Sequence, residues 1–411
     1  MLRKGDLTQG GITGTLLHFT LPMMVGSFLQ QCYNIADTLI VGQCIGAGAL
    51  AAVGSAYTLM VFLISVLLGL AMGSGTVFSL HYGAGNHVAL RRSIFSSFVL
   101  IGIVTLILNV AVFIWLDPIL RLLQVPQDIY GMMRSYLWII FCGIVFTFIY
   151  NFYASLLRAI GDSVTPLWFL AVSVVLNIAL DLFFILQLDW GIQGAAAATV
   201  LAQGVAALGI IIYTYRRRPE LRWHHEDMCF DRTCLKEIAS FSTLTCVQQS
   251  VMNLGILMIQ GLVNSFGTAV MAAFAAAVKI DSFAYMPVQE FGNAFSTFIA
   301  QNFGAGRYDR IHRGVRSAFV TAVVFSLPCV RIGFHLCQTV DAYLCPSGRN
   351  GDYCGGSGVP THRRCFLLCY RHLVFAVRIL SGHPYAGHVC CADRAVAGHP
   401  CSSFLLACFD T

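Results

Sequence analysis

What most constrains this chain is a succession of apolar runs filling its first 327 positions, each long enough to cross a ~30 Å hydrocarbon core as a helix. A helix satisfies its own backbone hydrogen bonds, so runs of this kind need no water along their length. The alternative, a water-soluble globule, fails on polar surface. Only 11% of the 411 residues are charged and 57% are hydrophobic, where a soluble domain carries about 25% charged residues. The fold class read from this is an all-α polytopic membrane protein. Spans are expected near 16–45, 50–80, 94–116, 132–157, 166–188, 192–215, 237–263 and 269–300, with a ninth beginning near 315. The polar lead "MLRKGDLTQGGITG" and the glutamines Gln30 and Gln31 in the first run are unlike a cleaved secretory signal, so the first span is expected to stay in the membrane.

The basic residues sort by side. Arg3, Lys4, Arg91, Arg92, Arg158, the group Arg216, Arg217, Arg218, Arg222, Arg232 and Lys236, and Arg307, Arg310, Arg313 and Arg316 fall at one set of span ends. Only Arg121 and Arg134 fall at the other. The positive-inside rule places the crowded side, and the N-terminus, in the cytoplasm of a cell membrane. The formal charge of +6 is thereby a matter of topology, and no nucleic-acid partner is implied. Residues 216–236 read as a solvated cytoplasmic linker, and the spacing of His224, His225, Cys229 and Cys234 fits no compact tetrahedral zinc pattern. No metal site is expected.

A repeat organises the rest. "YGAG" at 82–85 returns as "FGAG" at 303–306, so that Gly83 and Gly304 are 221 positions apart. The same offset sets Leu90-Arg91-Arg92 beside Ile311-His312-Arg313 and Phe98-Val99 beside Phe319-Val320. Gln30-Gln31 and Gln248-Gln249 correspond within three positions. Spans seven to nine thus copy spans one to three. An even number of helices lies between the copies, which makes the repeat parallel, about an axis along the membrane normal. Glycine is expected to make the tight reversal in each turn.

Five segments, "ADTLIVGQCIGAGALAAVGSAY" (36–57), the "YGAG" turn, "RAIGDSVTPLW" (158–168), "NIALDLFFI" (177–185) and "FIAQNFGAGRYDR" (298–310), together resemble the multidrug and toxic compound extrusion (MATE) transporters. The resemblance implies twelve helices in two six-helix lobes around a central cavity. It also implies export of small organic, often cationic, compounds in exchange for H⁺ or Na⁺, with no other cofactor. On that pattern residues 1–215 form the N-terminal lobe, 216–236 the linker and 237–327 a partial second lobe, so that about 8–9 of twelve helices are present.

Ionisable groups inside the spans need a reason, because each costs roughly 2.5–3.5 kcal/mol at a helix centre. Asp37 lies in the first span and Asp181 in the fifth, with Asn177 one turn away on the same face. Tyr136 in the fourth and Thr199 in the sixth are expected at similar depth. A carboxyl out of water can take up and release a proton near neutral pH. The same carboxyls with amide and hydroxyl oxygens would equally suit a sodium ion. The resemblance implies that Asp37, Asn177 and Asp181 couple the cation, with Tyr136 and Thr199 in support. Pro22 leaves the carbonyl of His18 without its helical donor and is a candidate hinge. Lys279, Asp281 and Glu290 in the eighth span are expected to neutralise one another. The Gly42–Gly46 and Gly69–Gly73 spacings are read as close helix packing.

Beyond Leu327 the text changes. Residues 328–411 hold ten of the sixteen cysteines, six of the twelve histidines and seven arginines, with no lysine or glutamate. The cysteine spacing suggests neither zinc nor a disulfide framework. An out-of-frame ending near residue 327 is the reading, which would leave the second lobe incomplete and the chain as written inactive. Two other functions were weighed. An intramembrane aspartyl protease also pairs two carboxyls, but "IADTL" and "ALDLF" match neither of its signatures. A lipid-linked oligosaccharide flippase would favour basic residues in its cavity, and the first lobe's spans have almost none. No Gly-x4-Gly-Lys-Ser/Thr loop is present, so ATP is not expected as the direct energy source.

Overall fold

The computed structural model describes residues 6–122, 125, 127–228, 232–264, 286, 287 and 289–321, and every regular element among them is helical. The expectations placed on Arg3, Lys4, Cys229, Lys279, Asp281 and the 328–411 tail lie outside these residues. Two compact units are distinguished. One is Met1–Phe274 with Gln289–Ala318, the other Ala275–Val288 with Phe319–Thr411. Of the second, the described residues are 286, 287 and 319–321, all helical.

In chain order the elements are α1 (Ile12–Cys44), α2 (Ala47–Gly83), α3 (His87–Leu122), α4 (Gln127–Cys142), α5 (Ile144–Ala159), α6 (Val164–Leu182), α7 (Gly191–Arg217) and α8 (Arg232–Asn264). Residues 289–304 form α9 and 308–321 form α10. Punctuation between them comes from residues that tolerate left-handed backbone. Gly46 (φ 116°) separates α1 from α2, Gly85 (φ 69°) precedes α3, and Gly161 (φ 87°) follows α5. Asn86 then caps α3 through Oδ1, which accepts from the amide of Ala89 at 3.0 Å. Asp162 does the same for α6 by accepting from the Thr165 amide at 3.0 Å.

Among the described residues, five helices are long and apolar enough to cross a membrane, and α4 with α5 makes a sixth if the bent pair is one span. Large apolar side chains such as Leu106, Ile114, Trp168 and Val175 stand exposed on their outer faces, where lipid takes the place of water. The interior is built around α2, which packs on α3, α4, α5 and α8, and α7, which packs on α4, α5 and α6. Small residues set that closeness. A Cβ on Gly69 would stand 2.5 Å from Cα of Cys246, and one on Gly73 2.4 Å from Cα of Ser242. These are the α2 glycines read as packing positions.

The structure differs from the sequence reading in two places. The fourth span is not one helix over 132–157: it breaks at Gly143, where it bends by 48°. There Asn109 Nδ2 donates to the carbonyl of Phe141 at 2.6 Å, serving an oxygen that the broken helix would otherwise leave bare. The seventh span forms as helix α8, Arg232–Asn264, and packs along α2. Thr243, Thr245, Gln248, Gln249, Ser250 and Asn253 punctuate it, which suits a helix held against α2.

The linker is the second difference, for Leu221, Asp227 and Cys234 turn inward from it and are buried. Its short turns are Pro219–Leu221 and His225–Asp227. The Trp223 ring lies 5.9 Å from that of Phe95 and 5.5 Å from that of Phe98. Arg91 Nε reaches Asp227 Oδ2 at 2.6 Å, and the His224 amide donates to the same oxygen at 3.0 Å. Burial alone would raise the Asp227 carboxyl. The Arg91 guanidinium and the His224 amide outweigh it and hold the group below the ordinary carboxylate range.

Candidate functional site

Helical spacing does the first part of site assembly. Tyr33 and Asp37 are one turn apart on α1, as Asn177 and Asp181 are on α6, so each pair presents two polar groups from one face. Because α6 packs on both α1 and α7, the two faces meet, with Thr199 of α7 between them. Asn177 Nδ2 donates to Asp181 Oδ2 at 2.8 Å, while its Oδ1 accepts from Thr199 Oγ1 (3.3 Å) and from the Thr199 amide (3.1 Å). Tyr33 OH and Thr199 Oγ1 are 3.2 Å apart. Tyr136 comes from α4, the first leg of the broken span, and is buried where α4 packs on α7. Immediately after Asp181 and Leu182 the helix widens into a π-turn over Phe183–Gln187, a distortion often seen beside functional groups.

The two acids are the centre of this cluster. Asp181 is 0% exposed and Asp37 7%, and they stand in one cluster, Asp181 bonded to Asn177 and Asp37 one helical turn from Tyr33. Oδ1 of each finds no donor among the described residues. Two anions cannot rest in one cluster out of water unless a proton or a cation joins them. The chemistry on offer is therefore uptake and release of a small cation by a hard-oxygen set.

All five residues expected near one depth, Asp37, Tyr136, Asn177, Asp181 and Thr199, are thus brought together. Pro22 is not among them: it lies four turns away along α1, which runs unbroken through it. Glu290 takes a partner on the first helix, accepting from Ser27 Oγ at 2.8 Å. Tyr33 was missed. Its signal was the i, i+4 spacing to Asp37, hidden because tyrosine in a span is so often an interfacial anchor.

The MatE family model matches residues 22–183 and 245–343, which is more than half of the sequence and takes in every residue of the cluster but Thr199. The chain belongs to the MatE family. "Probable multidrug resistance protein YpnP" of Bacillus subtilis is 32% identical over 317 residues, covering 75% of this chain and 69% of that protein. "Probable multidrug resistance protein NorM" of Thermotoga maritima is 25% identical, with 76% and 68% covered. The chain spans about two thirds of the length of these relatives. Among solved structures, an outward-facing multidrug resistance MATE transporter superposes with a TM-score of 0.77 at 22% identity, over 84% of this chain and 77% of that one. The MatE family comprises transporters, not enzymes, and the aspartyl-protease reading falls with that. The second MatE stretch reaches residue 343, so likeness to the family continues past the change of composition at 327.

Proposed function

We propose that this MatE protein is a secondary efflux transporter that exports small organic compounds across the cell membrane in exchange for H⁺ or Na⁺. Asp37, Asn177 and Asp181 carry the cation, Tyr33, Tyr136 and Thr199 support them, and the N-terminus faces the cytoplasm. The observation that carries this reading is the pair of acids buried in one cluster, each with an oxygen that no donor among the described residues serves. Binding a proton or sodium ion relieves their repulsion, and losing it restores the repulsion. A ligand that changes the energy of one conformation more than another shifts the balance between them. Cation exchange at this pair is thereby able to drive the opening and closing of a cavity elsewhere in the bundle.

Asp37→Asn tests it. The amide keeps the shape, so the protein folds, but the cation no longer changes the charge of the pair. Efflux of a fluorescent organic cation from cells, driven by an imposed pH or sodium gradient, is expected to vanish at equal expression. Undiminished gradient-driven efflux by this variant removes the proposal.

A further inference from the structure

The stretch ahead of α1 is tied to the α9–α10 turn by hydrogen bonds that no helix requires. The Leu7 amide donates to Gln301 Oε1 at 3.2 Å, and Asn302 Nδ2 donates to the Leu7 carbonyl at 3.3 Å. Arg307 Nη1 donates to the Thr8 carbonyl at 2.7 Å. The Arg310 fork gathers three carbonyls, that of Leu7 again (3.2 Å) and those of Gln9 (2.7 Å) and Gly10 (2.6 Å). The Leu7 side chain, 2% exposed, closes an apolar cluster of Leu16, Phe19 and Met23 from α1 with Ala294 and Phe298 from α9. Gly10 turns the chain with φ 78°, a conformation glycine takes without strain.

The same turn meets its repeat partner. A Cβ on Gly83 would lie 2.0 Å from the carbonyl oxygen of Gln301, and one on Gly304 would lie 2.0 Å from that of Leu80. Leu80 and Gln301 are separated by the same 221 positions as Gly83 and Gly304. The contact is reciprocal: each repeat puts its helix end where the other lacks a side chain. Backbone meets backbone there with no room for a passage between α2 and α9.

We propose that residues 6–11 are a strap that locks the two repeats together over this seal, and that opening toward the cytoplasm requires its release. The proposal rests on the transporter reading above for its need to open. α1 belongs to the first repeat, while Gln301, Asn302, Arg307 and Arg310 belong to the second. Separation of the two turns must therefore break the strap's bonds or pull Leu7 from its cluster. A multi-carbonyl fork is a fitting fastener, because Arg310 holds three acceptors with one side chain and all three are lost together.

Accessibility tests the strap without any transport. Ser74 is buried on α2 against Ser242 of α8, their hydroxyls 3.0 Å apart, and lies about 13 Å beyond Gly83 at ~1.5 Å per residue. In inside-out vesicles of the full chain carrying Ser74→Cys, a membrane-impermeant thiol reagent reports cytoplasmic opening, read at position 74 by peptide mass spectrometry. Adding Arg310→Ala is expected to raise the labelling rate at least threefold, and Arg310→Lys to raise it as well. A second arm fastens the same junction. Thr13 Oγ1 and Ser317 Oγ are 2.7 Å apart, so Thr13→Cys with Ser317→Cys forms a reducible cross-link, which is expected to suppress labelling at position 74 until reductant is added. Unchanged labelling in Arg310→Ala, or equal labelling in the oxidised and reduced cross-link, overturns the strap. A chain that gates as described but exports no organic cation keeps the strap and loses the transporter reading. The reverse result does the opposite.

Discussion

At the scale of single residues, the acids announced themselves and one helper, Tyr33, did not. Asp37 and Asp181 stand out because an idle carboxyl in lipid is so costly, and Asn177 is found from Asp181 by one helical turn. Thr199 is different: threonine is common in such helices, and only the packing of α7 on α6 makes it a hub that serves Asn177 by both hydroxyl and amide and touches Tyr33. Thr199→Val keeps the volume and removes the hydroxyl. A net hydrogen bond is worth about 0.5–1.5 kcal/mol. The pH or sodium concentration for half-maximal efflux is therefore expected to move by about two- to tenfold in concentration, with the maximal rate little changed. Tyr33→Phe is expected to move it in the same direction by no more than that. A lowered maximum with an unmoved midpoint would place Thr199 outside the cation's environment.

Elements were legible in number and less so in detail, because a run of apolar residues says that a helix crosses, not that it is straight. Nothing in "IIFCGIVFTF" demands a break: there is no proline, and one glycine in a long helix usually passes unnoticed. The break at Gly143 depends on a neighbour, since a Cβ there would fall 2.5 Å from Val200 Cγ2. Gly143→Ala is expected to cost roughly 1–3 kcal/mol, as overpacking does. Thermal unfolding in detergent should show that loss, and Val200→Ala in the same chain should return most of it. The linker was misread for a related reason: its charges suggested solvent, but Asp227 is buried against Arg91. The carboxyl is held below its ordinary range, so its contribution to anchoring the linker is complete above the ordinary value of about 3.9. That contribution is lost as pH falls from there through the lower native value. Tryptic cleavage after Arg222 should therefore be slow at neutral pH, and cleavage of the linker by an acid-active protease should rise as pH falls below about 3.9. Asp227→Asn should show fast cleavage at every pH.

For the whole molecule, the repeat was the most legible feature, yet its two glycines were assigned one job where they have two. The second glycine of each turn makes the reversal: Gly85 and Gly306 have φ of 69° and 67°. The first glycine of each, Gly83 and Gly304, is not in that region and serves only to admit a carbonyl of the other repeat. Which surface they touch could not be read from either copy alone, because the contact exists only when the copies face each other. This separation of roles gives the substitutions different outcomes. Gly83→Ala and Gly304→Ala each drive a methyl group into a backbone oxygen that cannot swing aside, so neither variant can close the seal. Both are expected to lose most gradient-driven efflux and to raise cytoplasmic labelling at position 74 by similar factors. Gly85→Ala, with nothing within 4 Å of its added Cβ, meets only local backbone strain of roughly 1–2 kcal/mol. It should keep its efflux at a somewhat lower melting temperature. If Gly83→Ala and Gly304→Ala differed sharply from one another, or if Gly85→Ala opened the cytoplasmic end as they do, the reciprocal contact would not be what closes this protein.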